Sequence, residues 1–288
     1  MQTVNWHALC DPVVTMKTKS SMSRTILLIA LLGVPALLYA QSSDDNQGWS
    51  FSQRFQGSSN ALGLILKSTS TTTYSFNENI KAYAGVPFYF TREASSTSFV
   101  NGLGNVYSGL FATAGSPSSI RYASDLVFTL PTGDVSGGFS TGHPTVDWTN
   151  TFSHSFGALI PYGSVGIANT ISDTQFFVRP FASDGVVTHF EAGALMNLNR
   201  HVTVGGSAYG VRASGAQVII NQGRQGSTRQ TTGPIQVAND DGFSSWVSLK
   251  PNPSTDFQIG YSRSEGYQLN SLFFGVGFHF GHGVPVIK

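Results

Sequence analysis

Charge is scarce in this chain. Lysine, arginine, aspartate and glutamate make up 11% of its 288 residues, against about 25% in an ordinary soluble domain. Cysteine is almost missing too: Cys10 is the only one, which excludes a disulfide scaffold. Neither sign of charge dominates, with 16 Lys+Arg against 15 Asp+Glu, so nothing favours a nucleic-acid partner. What is abundant is glycine, 32 residues, with 12% aromatic and 40% apolar residues overall. Glycine costs about 1 kcal/mol against alanine in a helix interior, so this composition argues for long strands and many turns rather than helices.

The N-terminal segment reads differently. Lys17, Lys19 and Arg24 precede the apolar run Ile26–Leu38, and Leu38-Tyr39-Ala40 is followed by Gln41. A basic region, a short apolar core and a small residue at the break describe a secretory signal, and the core falls short of the roughly 20 residues of a spanning helix. The expectation is a signal peptide over residues 1–40, cleaved after Ala40, with export through the general secretory route. Residues 1–15 lie outside that pattern, so Met16 and Met22 are candidate starts. Cleavage removes Cys10 and leaves 13 Lys+Arg against 14 Asp+Glu.

Beyond residue 41 the chain alternates. Around the stretch Arg121–His154, Tyr122, Leu126, Phe128 and Leu130 share one parity while Arg121, Asp125 and Thr129 share the other. A Pro131-Thr132-Gly133-Asp134 stop follows, and Val146, Trp148, Asn150 and Phe152 then alternate with Asp147, Thr149, Thr151 and Ser153. This is the two-residue period of strands with one apolar face. The same pattern predicts twelve strands, at 48–57, 60–76, 79–92, 102–114, 119–131, 144–154, 158–171, 185–198, 201–218, 241–250, 255–264 and 269–280. Links after even-numbered strands are brief, as at Asn77-Glu78 and Asn199-Arg200. Most links after odd-numbered ones are long, as at 132–144 and 219–240, and Ser58-Ser59 is an exception. An even strand count with tight turns on one rim and long loops on the other describes a bacterial outer-membrane barrel.

In the last strand Leu272, Phe274, Val276, Phe278 and Phe280 form one row and Ser271, Gly275, Gly277 and His279 the other, interrupted only by Phe273. A small, polar inner face suits a wet lumen and a lipid-facing exterior. Trp49, Phe88, Phe90, Trp148, Trp246 and Tyr261 are candidates for interfacial girdles. Pro87 and Pro161 fall inside predicted strands, where each must mark a bulge or a strand end.

The segment Asp125-Leu-Val-Phe-Thr-Leu-Pro131-Thr132-Gly133-Asp134, followed by Phe139-Ser-Thr141-Gly142 and Val146-Asp147, resembles the family of meta-pathway phenol-degradation outer-membrane proteins. Ala84-Gly85-Val86-Pro87-Phe88-Tyr89, Gly102-Leu103-Gly104-Asn105-Val106 and the aromatic close add to the resemblance, which spans most of residues 48–280. It implies a porin-like, transporter-like barrel, linked in some members to uptake of aromatic or hydrophobic compounds. Asn105 departs from the family's usual Asp, and the tail Gly281–Lys288 follows the last aromatic, where many barrels end.

A search for chemistry returns little. No His is followed two residues later by Ser, and adjacent His154-Ser155 point to opposite faces, which disfavours a membrane-embedded lipid hydrolase; His201-Val202-Thr203 is a weaker pair. His189, Glu191, His279 and His282 have no metal-ligand spacing. No cofactor, catalytic residue or metal site is expected. The candidate site is the lumen, through Arg121, Asp125, Asp147, His189 and Glu191 on the less apolar parity, and a mouth loop over 219–240 carrying Arg224 and Arg229. These charges serve either as a solute filter or as a salt-bridged plug.

The expectation is therefore an all-β, transmembrane, antiparallel up-and-down barrel of about twelve strands in residues 41–288, in the outer membrane of a Gram-negative bacterium with both termini periplasmic. Its expected partners are outer-membrane lipids, the barrel-assembly machinery and a small hydrophobic solute. Its expected role is a channel, with a closed-lumen structural or surface-interaction barrel as the alternative.

Overall fold

Alternation in the sequence becomes strand in the fold. The computed structural model describes residues 47–115, 119–135, 137–171, 178–179, 181–221, 230–233 and 238–281. The expected signal segment, Arg224, Arg229 and His282 lie outside the described residues.

The strands are β1 (Gly48–Asn60), β2 (Gly63–Ser75), β3 (Ile80–Glu93), β4 (Val100–Leu103), β5 (Tyr107–Ala114), β6 (Arg121–Thr129), β7 (Thr145–Ser153) and β8 (Leu159–Ile171). They continue as β9 (Phe181–Asn197), β10 (Val202–Ala213), β11 (Gln217–Asn221), β12 (Gln230–Gly233), β13 (Asp240–Asn252), β14 (Thr255–Ser264) and β15 (Leu269–Gly281). Every pairing is antiparallel. The wall runs β1-β2-β3-β5-β6-β7-β8-β9-β10-β13-β14-β15 and closes through β15 on β1, a twelve-stranded barrel. Closure leaves no unpaired sheet edge in the wall.

Three of the short turns share one device. Asn77 Oδ1 accepts from the Asn79 and Ile80 amides at 2.8 Å each, Asn199 Oδ1 from His201 (2.8 Å) and Val202 (2.9 Å), and Asn252 Oδ1 from Ser254 (2.9 Å). An asparagine that bonds the backbone two residues on closes a turn without a longer loop.

Parity sorts the faces. Trp148 pairs with Ile167 on one side and Leu126 on the other, and Phe55 with Phe274; all five face outward, and Phe55, Trp148, Ile167 and Phe274 are well exposed. The apolar surface is thus on the outside, and the described residues form small buried clusters in place of one large core.

Five expectations need correction. The predicted strand 102–114 is two strands, because β4 and β5 pair with different halves of β3. At that break Pro87 needs no partner for its missing N–H, and its carbonyl accepts from Gly104 at 2.9 Å. The predicted strand 201–218 ends at Ala213: Gly215, at φ 80°, turns the chain so that β11 leaves β10 and pairs with β9 and β12. The link after β1 is not Ser58-Ser59; pairing continues to Asn60↔Gly63 and the turn is Ala61-Leu62. Trp246 faces inward and is buried, so it belongs to no outer girdle.

The inner face, finally, is bulkier than expected. Directly paired residues place an aromatic ring over a glycine: Tyr107 on Gly85, Tyr83 on Gly109, Tyr162 on Gly193, Trp246 on Gly205, Tyr209 on Gly242 and Phe273 on Gly260. A Cβ at any of these glycines would meet the ring. Each ring therefore lies against the wall, which both covers bare backbone and keeps the side chain from projecting across the lumen.

Candidate functional site

The inner face carries charge at several heights. Asp125 on β6, Asp147 on β7, and His189 and Glu191 on β9 share the inward parity with Tyr83, Ser164 and Gly166. Their partners fix them. The Tyr83 hydroxyl donates to Asp125 Oδ1 at 2.8 Å, the Tyr162 hydroxyl to Glu191 Oε1 at 2.8 Å, and Asp147 Oδ1 lies 2.9 Å from His189 Nε2. Arg121 also takes the inward parity but sits at the short-turn end, where it is exposed. The structure thus brings Asp147 and His189 into contact and places Arg121 apart from them. Among the described residues none of Asp125, Asp147 and Glu191 forms an ion pair with a lysine or arginine.

Sequence reasoning missed Arg54. On β1 its parity is that of Ser52 and Gln56, opposite to Trp49, Phe51 and Phe55, so it faces inward. Nη1 donates to Gln258 Oε1 at 2.9 Å, and the guanidinium lies 4.3 Å from the centroid of Phe273. The signal was present in the alternation, since a cation among lipid-facing residues would be costly.

The long-loop end is narrowed by segments other than the expected one. Phe139, from the glycine-rich link between β6 and β7, stacks on Tyr89 with centroids 5.6 Å apart and planes 10° off parallel. Val178, from the link between β8 and β9, packs with Ile65, Tyr89 and Phe139, and its amide donates to Ser58 Oγ at 2.8 Å. Arg179 follows, buried, with Nη2 3.6 Å from Asp240 Oδ2 and its guanidinium 5.4 Å from the Tyr267 ring. Asp240 also accepts from the Tyr209 hydroxyl (2.8 Å), Ser264 Oγ (2.7 Å) and the Gly266 amide (3.1 Å). Burial pushes the Tyr267 phenol up to about 12, so it meets Arg179 as a neutral ring. The segment expected at the mouth carries β11 and β12, which extend the sheet beyond β9.

Beside that extension β9 bulges. Between Ala168 and Thr170 of β8 the register shifts by one residue on β9, at Gly185 (φ 149°). Gln217 fills the irregularity, donating to the Val186 carbonyl (3.3 Å) and accepting from Ser183 Oγ (3.2 Å). A groove of about 580 Å³ nearby is lined by Leu126, Val146, Trp148, Ile167 and Val186. These face outward, so it belongs to the outer wall and not to the lumen.

Two of the histidines weighed for catalysis or metal binding have other engagements. His201 Nδ1 lies 2.8 Å from the Lys250 carbonyl and its Nε2 accepts from Arg200, while Thr203 donates to Asn197. His279 meets Asp256 near the short-turn end. Among the described residues no group of three potential metal ligands comes together.

Closed wall, apolar exterior and polar interior define an outer-membrane-type β-barrel, and solved structures similar to this chain are of that class. The COG4313 outer membrane channel from Pseudomonas putida F1 is 8% identical with a TM-score of 0.58, over 83% of this chain and 100% of that one. The NanC porin is 10% identical with a TM-score of 0.52, over 79% of this chain and 98% of that one. At such identities the likeness is one of fold. No protein-family model and no curated protein sequence matches the chain.

Proposed function

We propose that this chain is an outer-membrane channel of a Gram-negative bacterium, passing small solutes passively through its lumen after export and removal of residues 1–40. The observation that carries this reading is the arrangement of charge. Arg54, Asp125, Asp147 and Glu191 point inward and are anchored by Gln258, Tyr83, His189 and Tyr162, while the outer face is apolar. Charge near the membrane midplane costs about 2–4 kcal/mol when it faces lipid. Charges held in place inside a barrel by partners that leave most of them uncancelled suit a water-filled passage better than a salt-bridged filler. Tyr83, Tyr107, Tyr162, Tyr209 and Trp246 on the inner wall are compatible with aromatic solutes, which the resemblance to the phenol-degradation family also favours. Single-channel recording of the purified protein in a planar bilayer tests it. Stable conductance steps are expected, and their absence across salts and solutes would count against transport.

A second reading, a closed barrel whose loops meet other partners, is favoured by one observation: Val178 and Arg179 are buried in the long-loop end. The same recording separates the two.

A further inference from the structure

Inward charges at the strand ends are of both signs, with Lys81, Arg121, Asp240 and Asp256, but in the middle of the strands they divide between opposite walls, where Lys67 on β2 stands beside Arg54 on β1. Around the ring of twelve strands β1 is five steps from β7 and six from β8, with β9 next to β8. Arg54 stands on β1. Asp125, Asp147 and Glu191 stand on β6, β7 and β9.

The partners on each wall are chemically informative. Arg54 is held by an amide oxygen and an aromatic face, and its Nε and Nη2 are shielded without a hydrogen-bond partner. Asp125 and Glu191 are held by phenols, which are neutral at ordinary pH, and Asp147 by the His189 imidazole. The amide and the phenols fix positions and leave the charges they hold uncancelled. The result is a field directed across the passage, from the β1 wall to the β6–β9 wall, in a setting where low-dielectric walls concentrate it.

Resting on the channel reading above, we propose that the lumen selects small solutes carrying separated charges of both signs, amino-acid-like zwitterions, with the carboxylate passing Arg54 and the ammonium passing Asp125, Asp147 and Glu191. A singly charged solute is drawn to one wall and repelled by the other. A neutral one gains nothing for the water it sheds. A zwitterion of matching length is favoured at both ends and is oriented while it passes.

The test is proteoliposome swelling with the full processed protein and four solutes of one skeleton: ε-aminocaproate, its N-acetyl derivative, its carboxamide, and the doubly capped neutral form. The expected result is that ε-aminocaproate enters severalfold faster than the neutral form. That ratio should fall towards one in Arg54→Gln and in Asp147→Asn, and be kept in Arg54→Lys. Heat-modifiable migration on gels checks that each variant is folded. Equal entry of the zwitterion and the neutral form overturns this inference while leaving the channel standing; no entry of any of the four overturns both.

Discussion

Arg179 and Asp240 meet across the long-loop end, Nη2 to Oδ2 at 3.6 Å, both side chains buried. Sixty residues of chain separate them, and nothing in either local sequence announces the contact. Asp240 is held by three further donors, Tyr209, Ser264 and the Gly266 amide, so it is a fixed post to which the β8–β9 segment ties.

Breaking one side of a buried charge pair costs about 3–5 kcal/mol because the remaining charge is left uncompensated. Asp240→Asn should therefore loosen Val178 and Arg179 from the mouth. In planar bilayers the expected outcome is larger or longer openings than wild type, with the barrel still heat-modifiable. Unchanged openings would show that this segment does not obstruct the passage.

Gly85 and Gly109 should not tolerate a methyl group. Tyr107 and Tyr83 occupy the space a Cβ needs, and overpacking of this kind costs about 1–3 kcal/mol. Gly85→Ala and Gly109→Ala are expected to lower the temperature at which the folded gel band converts to the unfolded one. Gly163→Ala is the control, since its nearest neighbour to a new Cβ is the Glu191 carbonyl at 3.8 Å; it should leave that temperature within a degree or two of wild type.

The two faces of neighbouring strands should respond oppositely to charge. Val165 on β8 points outward and is exposed, while Thr149 on β7 points inward and donates to Asp147 at 3.3 Å. Val165→Arg should destabilise the barrel by about 2–4 kcal/mol in a bilayer, seen as loss of folded protein in the membrane fraction. Thr149→Arg should fold and instead shift the reversal potential towards anions.

Much of this was legible in the sequence because strand periodicity is local. Val146, Trp148, Asn150 and Phe152 declare their common face without reference to any other strand, and Asn77 and Asn199 mark their turns from neighbouring residues alone. Trp246 was read as a girdle residue from its type, although it shares the parity of Ser244 and Ser248 and not that of Phe243, Val247 and Leu249. What gives it room on the inner face is the glycine opposite, Gly205, which only the register of β10 on β13 reveals. Val178 is the same problem at greater range: its amide is satisfied by Ser58, 120 residues earlier. Arg54 is a different case. It was visible by parity in β1, but a strand read chiefly for its aromatic row passed over the charge on the other side.

The most direct test is cysteine scanning along β7, on a background in which Cys10 is replaced. Single cysteines at Asp147, Trp148, Thr149, Asn150, Thr151 and Phe152 are treated in proteoliposomes with a charged, membrane-impermeant thiol reagent. Reaction is expected at Asp147, Thr149 and Thr151 and protection at Trp148, Asn150 and Phe152. Reaction of the second set in place of the first, or no alternation at all, would contradict a lumen-facing first set and a lipid-facing second.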